Sequence, residues 1–256
     1  MLCFFVKNGR RSGTAKSGGE KVIYLTGDTH GGFARIEDFC EEYETNTEDV
    51  LIILGDAGIN YSGDRRDQAI KQYLKEFPIT LFCIHGNHEQ RPNTIPGYKE
   101  KLWRGGTVYY EEEYPNLLFA KDGEIFDLDG QKAIVIGGAY SIDKDLRLAE
   151  GEGWWPDEQP SDEVKQYVEK QLEKLDWKID LVLSHTTPLK YEPTEVFMDG
   201  IDQSTVDKST EKWLDTIEER LDYWRWYCGH YHTEKEIDGL TIMYENYEVL
   251  DDDWLL

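Results

Sequence analysis

Three short apolar runs alternate with helical patterns in the first third of the chain. Residues 22–25, 50–54 and 79–84 are rich in β-branched and aromatic side chains, which predicts buried strands. Between them, residues 33–46 and 64–77 have apolar positions at helical spacing. A strand–helix–strand–helix–strand order predicts parallel pairing with helices packed against a face of the sheet.

The rest of the chain has a different pattern. Short strands are predicted at residues 107–110, 117–120, 124–128 and 133–136, which suggests antiparallel pairing and a second sheet. Helices are predicted at residues 162–177 and 207–220. Further strands are expected at residues 180–184, 223–228, 234–238 and 241–249.

Five of the six histidines lie in short motifs that follow predicted strands. The motifs are Gly27-Asp28-Thr29-His30-Gly31, Gly55-Asp56, Gly86-Asn87-His88-Glu89, Ser184-His185 and Gly229-His230-Tyr231-His232. Because the carboxyl ends of parallel strands lie along one edge, these side chains are expected to form one site. Imidazole, carboxylate and amide groups together suit divalent metals such as manganese, iron, zinc or nickel. The glycines are expected to let the backbone turn sharply and to keep this edge open.

In this order, the motifs resemble the signature of the calcineurin-like metallophosphoesterases. The resemblance covers residues 27–232, and it is specific because all five elements occur in sequence. It implies a four-layer αββα sandwich, in which two mixed β-sheets lie face to face with helices outside. It also implies two divalent metal ions, with manganese expected first.

The resemblance assigns a role to each motif residue. Asp28, His30 and His232 would hold one metal, and Asn87, His185 and His230 would hold the other. Asp56 would bridge the two metals and so take part in catalysis. A hydroxide that bridges the metals would then attack phosphorus directly, without a phosphoenzyme. His88 would donate a proton to the leaving group as general acid.

Several positions depart from the serine/threonine phosphatases of this superfamily. Those enzymes carry Asp and Arg after the bridging aspartate and Arg before Gly-Asn-His, whereas this chain has Ile59-Asn60 and His85. Any phosphate clamp must therefore come from elsewhere, and the arginines near the motifs are candidates: Arg65, Arg66, Arg91 and Arg147. Glu89 is a candidate for orienting His88. Specificity is expected to lie in loops 59–68, 90–106 and 140–161.

Two further segments near the motifs have open interpretations. The Gly137–Ser141 turn either lines the site or is a simple strand-end turn. Trp154 and Trp155 form a lid or substrate platform, or pack at the rim.

The net charge of −24 argues against long nucleic acids and anionic membranes as partners. The expected substrate is a small or medium-sized phosphate ester. A nucleotide phosphodiesterase or nuclease of the same superfamily is the alternative, and a non-catalytic scaffold is the third hypothesis. The oligomeric state has no signal in the sequence.

Four scattered cysteines, Cys3, Cys40, Cys83 and Cys228, suggest reduced thiols and a cytoplasmic protein. No apolar run reaches transmembrane length. Residues 1–20 are expected to be a disordered tail or a start remnant, and residues 21–256 a single domain.

Overall fold

The computed structural model describes residues 21–151 and 153–250. The strands are β1 (Ile23–Thr26), β2 (Val50–Ile53), β3 (Thr80–Cys83), β4 (Lys99–Trp103), β5 (Gly106–Tyr110), β6 (Leu117–Ala120), β7 (Ile125–Leu128), β8 (Gln131–Ile136), β9 (Lys178–Ser184), β10 (Asp222–Cys228), β11 (Lys235–Ile237), β12 (Leu240–Ile242) and β13 (Glu248–Val249). The helices are α1 (Ala34–Glu42), α2 (Arg65–Leu74), α3 (Lys144–Glu150), α4 (Asp162–Lys174) and α5 (Ser209–Glu218). Short 3-10 helices cover Pro92–Thr94, Leu189–Tyr191 and Thr194–Val196.

The strands form two mixed sheets. The first has the order β13-β1-β2-β3-β6-β5-β4, and its central strands β1, β2, β3 and β6 are parallel. The second has the order β11-β12-β10-β9-β8-β7, with β12, β10, β9 and β8 parallel. The antiparallel strands lie toward the edges of both sheets. The predicted pair of mixed sheets is confirmed.

Alternating side chains of the strands build a core between the sheets and one on each outer face. On β2, Val50 and Ile52 point into the core between the sheets, where they meet Val135 and Leu183 of the second sheet. Leu51 and Ile53 point outward and pack with the apolar faces of α1 and α2. On the second sheet, Ile134 and Val182 pack with α4 and α5. This gives the predicted four layers in the order αββα.

Strand register brings the predicted motifs to one edge. Thr26 pairs with Ile53 and Ile53 pairs with Cys83, so the motifs after β1, β2 and β3 begin side by side. In the second sheet, Tyr227 pairs with Leu183, so β9 and β10 end together. The carboxyl ends of both sheets therefore flank one region of the molecule.

The predicted strand 241–249 is wrong, because the chain here forms two strands in different sheets. Leu240–Ile242 pairs with β10, whereas Glu248–Val249 pairs with β1. Between them, the backbone N–H groups of residues 244, 245 and 246 all donate to Oε1 of Glu234, at 3.1, 2.9 and 2.8 Å. One carboxylate oxygen thus accepts hydrogen bonds from three successive backbone N–H groups, in place of the hydrogen bonds to a neighbouring strand.

Two elements lie inside segments that were expected to be loops. β4 pairs antiparallel with β5 at the edge of the first sheet, and α3 follows the Gly137–Ser141 turn. The predicted helices were also too long, since α1 ends at Glu42, α4 at Lys174 and α5 at Glu218. The tail expected at residues 1–20, which includes Cys3, lies outside the described residues.

The described cysteines Cys40, Cys83 and Cys228 are buried and unpaired.

Among the helices of residues 21–151 and 153–250, none has the length and apolarity needed to cross a bilayer.

Candidate metal centre

The first cluster of ligand-type atoms consists of Asp28, His30 and His232. The Nε2 atoms of His30 and His232 lie 2.8 Å apart, and each lies within 3.5 Å of Asp28 Oδ2. Asp28 is only 2% exposed, and its Oδ2 accepts no hydrogen bond from the described residues. Burial alone would raise the pKa of Asp28, but His232 and His30 outweigh it and the pKa is lowered. An ionised, buried oxygen faced by two imidazole nitrogens fits a bound cation.

The second cluster consists of Asn87, His185 and Asp56. His185 Nδ1 lies 2.8 Å from the carbonyl oxygen of Leu54. Since a carbonyl only accepts, Nδ1 carries the proton, and a neutral ring then has its lone pair on Nε2. Nε2 faces Asn87 Oδ1 at 2.8 Å and Asp56 Oδ2 at 3.7 Å. With the ring in this neutral form, all three atoms are acceptors, and a cation among them would offset their repulsion, so this cluster also fits a metal.

Asp56 lies between the two clusters. Its Oδ2 is 3.8 Å from His30 Nε2 and 3.7 Å from His185 Nε2. Ligand atoms of Asp28, Asp56 and His185 also lie within 4.8 Å of one another, so the clusters are contiguous. This central position is the one that a bridging carboxylate requires.

His230 lies beside the second cluster, with its ring centroid 5.0 Å from that of His185. Burial, together with the neighbouring His185, lowers the pKa of His230 to about 3. The ring is therefore neutral at physiological pH, which is the form that binds a metal. The structure thus brings together all seven residues that the sequence assigns to the metals.

The other oxygen of each aspartate fastens two motifs together. Asp28 Oδ1 accepts the backbone N–H of His230, and Asp56 Oδ1 accepts that of His88, both at 2.8 Å. The adjacent glycines make this possible. A Cβ atom would lie 2.2 Å from Asp28 Oδ1 at Gly229, and 1.9 Å from Asp56 Oδ1 at Gly86. These glycines give the carboxylates room, a role that was not anticipated from the sequence.

Four residues of the centre have left-handed backbone conformations. The φ angles are 44° at His30, 46° at Asp56, 70° at His230 and 47° at His232. Each costs on the order of 1 kcal/mol or more for a residue with a Cβ atom. The strain is concentrated at the ends of three strands, where it turns the side chains toward one point.

His88 lies at the edge of the centre with 23% of its side chain exposed. Its ring centroid is 5.4 Å from that of His30, and its Nε2 is 3.8 Å from Asp143 Oδ1. Burial lowers the pKa of His88, while Asp56 and Asp143 oppose the shift. Ligand atoms of His88, His30 and Asp56 lie within 4.8 Å of one another, so His88 is also placed where a metal ligand could lie. Its role as general acid stays a prediction.

A cleft of about 640 Å³ opens beside the centre. Its wall includes His30, Asp56, Asn87, His88, His230 and His232. Tyr140 of the Gly137–Ser141 turn also lines it, so this turn does border the site. Trp154 lies outside this lining and donates to Glu158 Oε2 at 2.8 Å, which fits rim packing.

Three of the four candidate phosphate clamps are engaged elsewhere, and the fourth is exposed. Arg91 pairs with Asp122 and donates to the carbonyl of Asp157, and Arg147 donates to the carbonyl of Gly153. Arg66 pairs with Asp64 at 3.1 Å, and Arg65 is exposed on α2. None of these four arginines lines the cleft.

Two neighbours of the ligand motifs have structural contacts. Glu89 Oε1 accepts the backbone N–H of Gly86 at 3.1 Å, and burial raises the pKa of Glu89 to about 8. Its hydrogen bond therefore goes to the loop backbone, and none to His88 is found in the described residues. His85 is 6% exposed and lies outside the ligand clusters.

The sequence analysis gave Ser141 no functional role. Its only signal was its position in the Gly137–Ser141 turn. Asn87 Nδ2 donates to Ser141 Oγ at 2.9 Å, which turns Asn87 Oδ1 toward His185. Arg35 was missed altogether. It donates to the carbonyl of Asp28 and to Thr26 Oγ1, and so fixes the first motif, but no local pattern marks it.

Replacing Ser141 with alanine should lower metal affinity by about 10- to 100-fold, because the Asn87 amide loses the partner that orients it. Calorimetric titration of the metal-free protein with Mn²⁺ measures this. Thr216→Ala is a matched control, since Thr216 lies on the exposed face of α5 and its hydroxyl donates to the carbonyl of Trp213, away from the metal centre. An unchanged affinity in Ser141→Ala would contradict the orienting role.

A group of carboxylate, amide and imidazole donors at the open edge of an αββα sandwich defines a metal-dependent enzyme. Residues 21–234 match the family model described as calcineurin-like phosphoesterase. The chain belongs to this family, and it is a phosphoester hydrolase. No curated protein matches the chain significantly.

Several solved structures resemble this chain at low sequence identity. TT1561 of Thermus thermophilus is 13% identical, with a TM-score of 0.48, over 90% of this chain and 97% of that one. Phosphopantetheinyl hydrolase (PptH) from Mycobacterium tuberculosis is 16% identical, with a TM-score of 0.43, over 89% of each chain. A protein serine/threonine phosphatase from Saccharomyces cerevisiae is 15% identical, with a TM-score of 0.33, over 89% of this chain and 68% of that one.

Proposed function

We propose that this protein hydrolyses a small or medium-sized phosphate ester at a centre of two divalent metal ions. One observation supports this most strongly. Ligand-type atoms crowd together in two contiguous clusters: His30 Nε2 and His232 Nε2 lie 2.8 Å apart in one, and His185 Nε2 and Asn87 Oδ1 lie 2.8 Å apart in the other. Bound cations would offset the repulsion between lone pairs held this close, and the clusters border a cleft large enough for an organic ester.

In this proposal, Asp28, His30 and His232 hold one ion, and Asn87, His185 and His230 hold the other. Asp56 lies between them as the bridging ligand. Bound divalent ions supply an activated water nucleophile and offset the charge that builds on the phosphoryl group. The donor set favours manganese, and also suits iron, zinc or nickel.

The protein residues position the ester and move one proton. His88 lies on the cleft wall, where it donates a proton to the ester oxygen as the phosphorus–oxygen bond breaks. Asp143, near its Nε2, favours the protonated ring before the step. Asp28 and Asp56 are each 2% exposed. Because electrostatic attraction is stronger in the protein interior than in bulk water, these buried carboxylates would attract cations strongly.

A screen of the purified protein with Mn²⁺ against phosphomonoesters, phosphodiesters and dinucleoside polyphosphates tests this function. Hydrolysis of a small ester is expected, with loss after chelation by EDTA and recovery when Mn²⁺ is restored. Rates should depend weakly on salt. A strong fall in binding as salt rises would instead favour the nucleotide or nuclease alternative. If no ester is hydrolysed with Mn²⁺, Fe²⁺, Zn²⁺ or Ni²⁺, the proposed function is wrong and a scaffold is favoured.

The remaining proposals concern the whole chain. Three unpaired, buried cysteines are consistent with a reducing compartment, and we propose the cytoplasm. We also propose that residues 21–256 form one domain, because one apolar core is shared by both sheets.

A further inference from the structure

The part of the cleft that extends away from the metal centre has an unusual lining. It lies between residues 140–146, which include the start of α3, and residues 192–211. We call this part the outer cleft and define it by its apolar residues Tyr140, Ile142, Leu146, Val196, Phe197, Met198, Ile201 and Val206. His88 lines the same cleft, and its Nε2 lies 3.8 Å from Oδ1 of Asp143, the neighbour of Ile142, so the outer cleft begins near the residue proposed as general acid.

Exposed apolar side chains are concentrated in the outer cleft. Eight large hydrophobic residues are exposed in the described part of the chain, and four of them line this cleft: Ile142, Leu146, Val196 and Met198. Met198 is 66% exposed and Leu146 is 60% exposed. Leaving such side chains in water is unfavourable, and a contiguous group of them beside an active site indicates a surface for an apolar ligand.

The charges that line the cleft argue against an anionic leaving group. Asp143, Glu192 and Asp207 are acidic, and the basic residue among the described lining, Lys208, is paired with Glu192 at 2.7 Å. Lys208 also lies over the ring of Phe197, 4.9 Å from its centroid. Glu211 lies deeper, and burial raises the pKa of Glu211 to about 7, so it adds partial negative charge at most. A carboxylate or phosphate in the outer cleft would be repelled by these carboxylates and would find no unpaired lysine or arginine among the described lining residues.

We propose that the outer cleft binds the alcohol portion of the substrate, and that this portion is an uncharged apolar chain. The inference rests on the proposed function and names its substrate class: phosphate esters of apolar alcohols. Nucleoside di- and triphosphates, sugar polyphosphates and phosphorylated acids are excluded because their leaving groups carry negative charge. The phosphoryl group faces the metal centre, while the chain covers Ile142, Leu146 and Met198.

Binding of alkylphosphonates to the manganese-loaded protein tests the proposal independently of turnover, because a phosphonate is not hydrolysed. Ethyl-, butyl- and octylphosphonate should bind progressively more tightly, by up to roughly fourfold per buried methylene group. An octyl analogue with a terminal carboxylate should lose most of this gain. Calorimetric titration gives the Kd values.

The variant Met198→Lys places a cation in the apolar wall. It should flatten the dependence of Kd on chain length and should favour the carboxylate-tipped analogue over the plain octyl one. Leu102→Lys is the matched control, since Leu102 is 80% exposed on β4 and does not line the cleft. That variant should keep the chain-length dependence of the unaltered protein.

Parallel hydrolysis assays with ethyl, butyl and octyl phosphate separate the two proposals. Tighter binding of longer chains without hydrolysis of any ester would support an apolar-chain site in the outer cleft but overturn the proposed function, and with it the assignment of that chain as part of a substrate. Hydrolysis with a Kd that does not depend on chain length would overturn the outer-cleft proposal alone. A preference for the carboxylate-tipped analogue in the unaltered protein, or no phosphonate binding at all, would also overturn it.

Discussion

Replacing Asp56 with asparagine should lower kcat/KM by at least about 10³-fold, which corresponds to about 4 kcal/mol. Asp56 Oδ1 accepts the backbone N–H of His88, so the asparagine oxygen must stay there. The NH₂ group then replaces Oδ2 at the midpoint between His30 and His185, where it presents hydrogen atoms to the cations. The site also loses one of its two assigned negative charges.

Asparagine is the most suitable replacement for isolating this effect. It has nearly the size of aspartate, and it tolerates the positive φ of 46° at this position better than most residues. Elemental analysis should show loss of metal in Asp56→Asn, while Asp38→Asn, an exposed position on α1, should retain it. A variant that keeps both ions and more than a tenth of the activity would show that Asp56 does not bridge the metals.

Replacing His88 with glutamine should preserve the metals but lower kcat by about 10²- to 10⁴-fold on esters with poor leaving groups. An alkyl alcohol needs a proton as it departs, whereas an acidic phenol leaves as the anion. The loss should therefore be small on aryl esters and large on alkyl esters. Activity plotted against leaving-group pKa for both proteins measures this difference.

His85→Gln is the control for this experiment, because His85 belongs to the same loop but lies outside the metal clusters and the cleft. It should show the leaving-group dependence of the unaltered protein. If His88→Gln stays within about threefold on every ester, the acid role is wrong. If it instead loses an ion, His88 is a ligand, as its distance from His30 and Asp56 would allow.

The parts of the fold that were predicted correctly are those with strong local patterns. The strand at Val50–Ile53 is a continuous β-branched and leucine run, fully buried between two cores. β4 escaped prediction because its sequence, KEKLW, is mostly charged and its pairing with β5 stabilises it. α3 escaped because it is short and leaves Leu146 and Leu148 exposed, so it has no clear apolar face.

In the metal centre too, features with a local sequence pattern were predicted, and features that depend on distant contacts were not. The motifs that follow five recognisable strands, together with the resemblance to the metallophosphoesterases, pointed to all seven residues that the structure brings together. It could not give the proton position on His185, which depends on the carbonyl of Leu54, 131 residues away in the chain. Ser141, Arg35 and the outer cleft likewise depend on contacts between distant segments.

By itself, the sequence determined which chemical groups stand at the ends of which strands, since strand propensity and motif composition are local properties. Only the tertiary structure decided which lone pairs face each other, which carboxylate lies between the clusters, and which apolar side chains border the centre. Those features depend on how the two sheets stack and on loops that close across them, and long-range packing of this kind leaves no periodic signal in the chain.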